Sequence, residues 1–161
     1  MNPDSANTRQ WEIVEVVFGI PFLISVALQA VAPFSWPQGT LRQILILVGI
    51  VLISAGIGLI VLARRELARY GQPTDPGHPT STVVMTGVFA VSRNPLYLGS
   101  VMVVSGIAVA LNILWTLVTL VLSVLLCHYI LIIPEEQYLT TKFGKEYTDY
   151  TASVHRWLGR K

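Results

Sequence analysis

Two polar clusters interrupt an otherwise apolar chain. The first lies in Thr86–Tyr97, TGVFAVSRNPLY, where Arg93, Asn94 and Tyr97 stand at the lip of a hydrophobic run. The second is Pro134–Tyr150, PEEQYLTTKFGKEYTDY, which opens with Glu135 and Glu136 just past another hydrophobic run. Polar groups in such places are costly unless they are paired or have a task. Together the clusters offer two carboxylates, a guanidinium, an amide and several phenol rings. A ligand that is both cationic and aromatic could use all of them: a carboxylate for the positive charge, ring faces for a flat base, and loop backbone groups for its polar edges.

Composition says what must carry these groups. Apolar residues make up 53% of the 161 residues and charged residues only 12%, about half the charge content of a typical soluble domain. Much of the surface therefore faces lipid, and the length suits a single domain, 1–161. The first ten residues are polar and the apolar run behind them is too long for a signal-peptide core. A net charge of +2 without a basic cluster interleaved with aromatics argues against a nucleic-acid partner. The single cysteine, Cys127, excludes an internal disulfide and a cysteine zinc site, and reads as a small buried hydrophobe.

Four apolar stretches, 13–34, 44–63, 94–111 and 113–133, predict an all-α integral membrane protein of about four transmembrane helices. The third is short against the roughly 20 residues that a span requires. Strands are excluded because no stretch alternates, as a barrel demands. Arg64, Arg65, Arg69 and Arg93 fall between the second and third stretches, and Lys142, Lys145, Arg156, Arg160 and Lys161 fall in the tail. This bias places both termini and the middle loop, 70–93, in the cytoplasm. Small residues on the second stretch (Gly49, Ser54, Ala55, Gly56, Gly58) and the third (Gly106, Ala110) predict close helix packing, with Ser54/Gly58 and Gly106/Ala110 both at four-residue spacing. Pro21 predicts a kink. Glu66, near the end of the second stretch, is expected to stand apart from the site.

The third and fourth stretches are separated by Asn112 alone, which forces an antiparallel hairpin. Leu96 and Ile133 then end on the same side, and Arg93–Tyr97 become neighbours of Glu135–Glu136. The middle loop is rich in Pro, Gly, Thr and Asp, and its turn chemistry predicts a compact ordered loop. Its His78 has no second metal-type ligand nearby and reads as a structural or solvated histidine. In the amphipathic tail, 134–161, Leu139, Phe143 and Tyr147 share a stripe that Gly144 interrupts. Two readings stand for it: a helix on the membrane surface, or a lid folding over the loop.

Purely structural readings also stand for the clusters. Asn94 and Pro95 make a good N-cap and N1 pair, Glu135 and Glu136 suit a helix N-terminus, and Arg93 could anchor to lipid phosphate. Convergence at one mouth favours a site.

GVFAVSRNPLYLG followed by a hairpin and PEEQYLTTKFGKEYTDY resembles the isoprenylcysteine carboxyl methyltransferase and phospholipid methyltransferase superfamily of integral membrane enzymes. The resemblance covers Tyr70 to the C-terminus. It implies transfer of a methyl group from S-adenosyl-L-methionine to a lipophilic or small membrane-accessible acceptor. By position it implies cofactor contacts from Ser81, Thr82, Val83 and Val84, from Phe89 where the family often has tyrosine, from Asn94, Pro95, Leu96 and Tyr97, and from Glu135, Glu136 and Tyr147. Asn94 replaces the histidine of the eukaryotic form. Arg93 and His128 are the candidate catalytic groups, His128 orienting or deprotonating the acceptor, while a packing histidine bonded to a neighbouring helix is its other reading. Leu131 stands where the prenylcysteine enzymes carry the arginine that meets the substrate carboxylate, so their substrate is not inherited. No metal is implied, and the acceptor and oligomeric state stay open. The rival readings are a nicotinamide-dependent membrane reductase of related architecture and a non-catalytic membrane binding module.

Overall fold

A computed structural model describes residues 10–73 and 80–161, with side chains from Val16 onward. The His78 reading, and part of the middle loop with it, lies outside the described residues. Among those residues the chain is all-helical. Helix α1 is Gln10–Val31, α2 is Thr40–Arg69 and α3 is Pro95–Leu111; α4 is Leu114–Leu126, α5 Ile133–Phe143 and α6 Lys145–Ser153. A 3-10 turn, Gly87–Ala90, precedes α3, and a π-helical segment, Cys127–Ile132, joins α4 to α5. Leu114–Phe143 therefore runs as one helix of 30 residues. It and α2 are long and apolar enough to cross a membrane, whereas Val16–Val31 and α3 are shorter apolar helices.

The helices pair antiparallel through small or polar contacts. On α2, Gly49 faces Gly106 and Ala110, and Gly56 faces Gly99; a Cβ on Gly56 would stand 2.7 Å from the Gly99 carbonyl oxygen. The interface thus uses a seven-residue repeat on each helix rather than the Ser54/Gly58 pair. Ser54 is exposed, and a Cβ at Gly58 would meet nothing within 4 Å. Helix α1 packs on α4, where the buried hydroxyls of Ser25 and Thr116 share a 2.8 Å hydrogen bond. Pro21 lies inside uninterrupted α1.

The hairpin turn is held by a residue that can bend left-handed. Asn112 has φ 62°, a conformation asparagine tolerates because its short side chain bonds locally. Its Oδ1 accepts the Trp36 amide at 2.8 Å and its Nδ2 donates to the Trp36 carbonyl at 3.2 Å. Arg42 donates to the carbonyls of Val109 and Ala110, supplying cation and donors where the end of α3 has unpaired oxygens.

At the opposite end of the hairpin the fourth helix does not stop at Ile133. Pro134 has no N–H and crowds the carbonyl four residues back. The ladder shifts to wider π-type bonding over the preceding six residues, Cys127–Ile132, and so carries the helix through the proline. Gly144, at φ 55°, ends α5 and turns the chain into α6. The tail then folds back: Tyr147, Tyr150 and Val154 bury against Val83, with Leu139, Phe143 and Met85 around them. The tail thus packs on the loop strip, as the folded-over reading expects.

Candidate functional site at the hairpin mouth

The hairpin sets two residue pairs face to face. From the first turn of α3, the buried Tyr97 hydroxyl donates to Glu135 Oε2 at 3.3 Å. From the segment before α3, Arg93 reaches Glu136 Oε1 at 2.9 Å, its side chain only 9% exposed. Arg156, arriving from beyond α6, grips the same carboxylate through Nε at 3.0 Å and Nη2 at 2.6 Å. Adjacent acids therefore differ sharply. Glu136 is held by two guanidinium groups, while Glu135 accepts the Tyr97 phenol and has no cation within ion-pair distance among the described residues.

Arg93 has capacity left over. Its Nε is buried without a hydrogen-bond partner among the described residues, although an unpaired buried donor is costly. The Tyr147 side chain lies close enough to feel both Arg93 and Glu136. Burial, reinforced by the Glu136 charge and opposed by Arg93, pushes its phenol up to about 12. Burial likewise raises Tyr150, whose hydroxyl donates to the Phe89 carbonyl at 2.7 Å. Hydrogen bonding to Glu136 holds Arg156 above the usual guanidinium range.

Asn94 occupies the N-cap position of α3 and Pro95 follows at N1, but the Asn94 side chain makes no capping bond. It donates instead to the Arg156 carbonyl at 3.0 Å, which ties the tail to the helix start. The backbone adds further stitches: the Arg93 amide to the His155 carbonyl at 3.2 Å, and the Gly159 amide to the Val91 carbonyl at 2.7 Å. Pro95 is fully buried, and Leu96 is half-buried, its carbonyl accepting the Ser100 hydroxyl.

His128 lies in the π segment with Nε2 3.4 Å from Arg156 Nη1. A guanidinium has no acceptor, so in this contact Nε2 is on the accepting side. Leu131 is fully buried with Val17, Tyr97, Cys127 and Ile132, and it brings no charge to the mouth. Of the Ser81–Val84 strip, Val83 and Val84 are buried. The Ser81 and Thr82 amides both point to Gln72 Oε1, at 2.8 and 3.4 Å, so these two donors are already engaged.

Three residues at or beside the mouth escape a reading of the sequence. Arg156 carries no local signal, because only the folding of the tail brings it to Glu136. Gln72 is a lone amide in a loop. Glu66, expected to stand apart, is 7% exposed: it accepts the Thr86 hydroxyl and an Arg69 guanidinium hydrogen bond at 3.1 Å. A Cβ on Gly87 would come within 2.8 Å of its Cδ. Its only sequence signal is a carboxylate near the C-terminal end of an apolar helix, which demands a partner.

An acid and a guanidinium donor, each with unmet capacity and set about the carboxylate that Arg93 and Arg156 share, suit a zwitterionic ligand that also carries a cation. A family model described as phospholipid methyltransferase matches residues 44–146, from the second apolar stretch to the start of α6. No curated protein matches the chain, and no solved structure matches it.

Proposed function

With its family model matching more than half of the residues, the chain belongs to the phospholipid methyltransferase family, whose members are membrane methyltransferases that generally use S-adenosylmethionine; from that premise we propose that it binds S-adenosyl-L-methionine at the hairpin mouth and methylates a lipophilic or small membrane-accessible acceptor. The observation that carries the reading is the contrast between the two adjacent acids. Glu136 is neutralised by Arg93 and Arg156, while among the described residues the Glu135 carboxylate is bound by Tyr97 alone.

In this reading Glu135 holds a positively charged group of the cofactor, and Tyr97 keeps the carboxylate aimed. Arg93 Nε is free to donate to a cofactor oxygen or to an acceptor. Asn94, Pro95 and Leu96 form one wall, Val83, Val84, Phe89 and Tyr147 another, and Ser81 and Thr82 contribute through their positions rather than through amides. Glu136 fixes the two arginines. When bound, S-adenosylmethionine supplies a methyl group already activated as part of a sulfonium. The protein's share is then alignment and exclusion of water, and positioning of this kind is worth roughly 7–11 kcal/mol. His128 orients the acceptor or takes its proton through Nε2, after that nitrogen leaves Arg156. Leu131 supplies no cation for an acceptor carboxylate, which argues against a prenylcysteine and for a less acidic acceptor.

The same reading makes residues 1–161 one membrane unit of four spans, the first and third being α1 and α3, with both termini and the mouth in the cytoplasm. The support is the distribution of arginine and lysine. The acceptor then enters from the bilayer and the cofactor from the aqueous side.

Calorimetric titration of the purified protein with S-adenosylmethionine tests the assignment. We expect binding in the wild type, and a loss of more than about tenfold in Glu135→Gln with folded protein retained. Unchanged affinity in that variant removes Glu135 from the site. Binding of reduced nicotinamide in place of S-adenosylmethionine would favour a reductase, and binding of neither a non-catalytic module. Transfer of a labelled methyl group to lipid extracts or small thiols, with the product identified by mass spectrometry, then names the acceptor.

A further inference from the structure

Between α2 and the 3-10 turn, the chain must return to the mouth from the loop, and the returning strip, residues 81–87, forms no regular helix before Gly87 opens that turn. Two buried polar side chains hold its ends. Gln72, 5% exposed, uses both halves of its amide. Its Nε2 donates to the Tyr70 carbonyl and to Ser81 Oγ, each at 2.8 Å. Its Oε1 accepts the Ser81 and Thr82 amides. At the far end Glu66 accepts the Thr86 hydroxyl, and Tyr70 shares a 2.9 Å hydrogen bond with the same hydroxyl. Gly87, at φ 58°, lies so close against Glu66 that a Cβ there would stand 2.8 Å from its Cδ and force it to shift. Between these two holds sit Val83 and Val84, with Val83 packed against Tyr147 and Tyr150.

We infer that Gln72 and Glu66 form a two-point clamp that positions the 81–87 strip as a wall of the cofactor site. The inference rests on the methyltransferase reading and adds to it two residues that touch neither cofactor nor acceptor. A buried carboxylate and a buried amide at the membrane edge are costly unless their bonds are satisfied; here Gln72 spends its bonds on this strip and its flank, and Glu66 divides its bonds between Thr86 and Arg69 of its own helix. The pairings that hold the bundle together, α1 on α4 and α2 on α3, do not involve either contact. Loosening the clamp should therefore move the strip and leave the bundle intact.

The test uses the full chain in detergent or nanodiscs, with Gln72→Ala, Thr86→Val and the conservative Thr86→Ser. Amide hydrogen exchange reads the clamp without any ligand. Ser81 and Thr82 should lose protection by about tenfold in Gln72→Ala, with melting temperature held. In Gln72→Ala and Thr86→Val, affinity for S-adenosylmethionine should fall by about tenfold, while kcat at saturating cofactor stays within about twofold of wild type. Thr86→Ser, which keeps the hydroxyl, should match wild type throughout. If Gln72→Ala does not fold, Thr86→Val carries the test, because it removes one hydroxyl and keeps the shape. Lost protection with unchanged affinity overturns the inference, leaving the clamp a matter of folding alone. Wild-type protein that protects Ser81 and Thr82 yet does not bind S-adenosylmethionine overturns the methyltransferase reading and this inference with it, a pattern distinct from the former.

Discussion

Glu135 and Glu136 are bonded neighbours with opposite surroundings, and that difference separates what each can do. Glu136 carries two ion pairs with Arg93 and Arg156 at 17% side-chain exposure. Removing its charge strands Arg93 as a buried cation, a loss of about 3 kcal/mol for a pair of this kind. Glu136→Gln should accordingly lower the melting temperature clearly and free the tail, measurable as faster proteolysis after α5, whereas Glu135→Gln should leave the melting temperature near wild type. A second expectation concerns Tyr147. Its phenol is raised from near 10 to about 12, so the unfolded chain gives up this proton first as pH climbs. The stability it contributes is complete below pH 10 and is lost between pH 10 and about 12, and Tyr147→Phe should flatten that part of a denaturation-against-pH curve. The neighbourhood of Tyr97 and Glu135 is legible in the sequence because one polar residue between two apolar runs dictates where their far ends meet. Arg156 and Glu66 are not legible, since their partners lie 20 residues away along a chain that must first turn back on itself.

The helices themselves follow from apolar length and from the turn chemistry at Asn112; α1 and α3 end close to where their runs end, whereas α2 continues to Arg69 and the fourth helix to Phe143. Which face of α2 meets α3 does not follow. Small residues surround the middle of that helix, and only the seven-residue repeats Gly49/Gly56 and Gly99/Gly106 set backbone against backbone. The distinction can be measured. Gly56→Ala places a Cβ 2.7 Å from a carbonyl oxygen and should cost about 1–3 kcal/mol, as overpacking does. Gly58→Ala meets open space and should be neutral or stabilising by up to about 1 kcal/mol, since alanine is the better helix former. Equal melting temperatures for the two variants would contradict the interface. Pro134 likewise reads from sequence as the start of a new helix. It is the π segment before it that lets one helix carry both the hydrophobic run and the acids, so that the acids are held on a continuous rod rather than on a hinge.

At the scale of the molecule, the four-span reading predicts sidedness. With Cys127 replaced by serine, a cysteine introduced at Gln38 should react with a membrane-impermeant maleimide on intact cells. One introduced at Leu158, 68% exposed, should react only after the membrane is opened. Labelling of both without permeabilisation would reverse or break the topology. The distribution of lysine and arginine along the chain is enough to raise this expectation. The way the tail covers the mouth is not readable from sequence, because it depends on backbone bonds from Val91 and Arg93, and a side-chain bond from Asn94, to residues 155–159 that no local pattern announces.

Helix α3 is unusually brief for its place. Its 17 residues rise about 25 Å, against a hydrocarbon slab of roughly 30 Å, and polar anchors clip it at both ends, Asn94 at one and Asn112 with Arg42 at the other. Under the four-span proposal, the lipids alongside it would have to compress or dip to meet so short a helix. On that proposal the thinned leaflet would draw headgroups inward at the hairpin mouth, and lipids with short acyl chains would fit best beside α3.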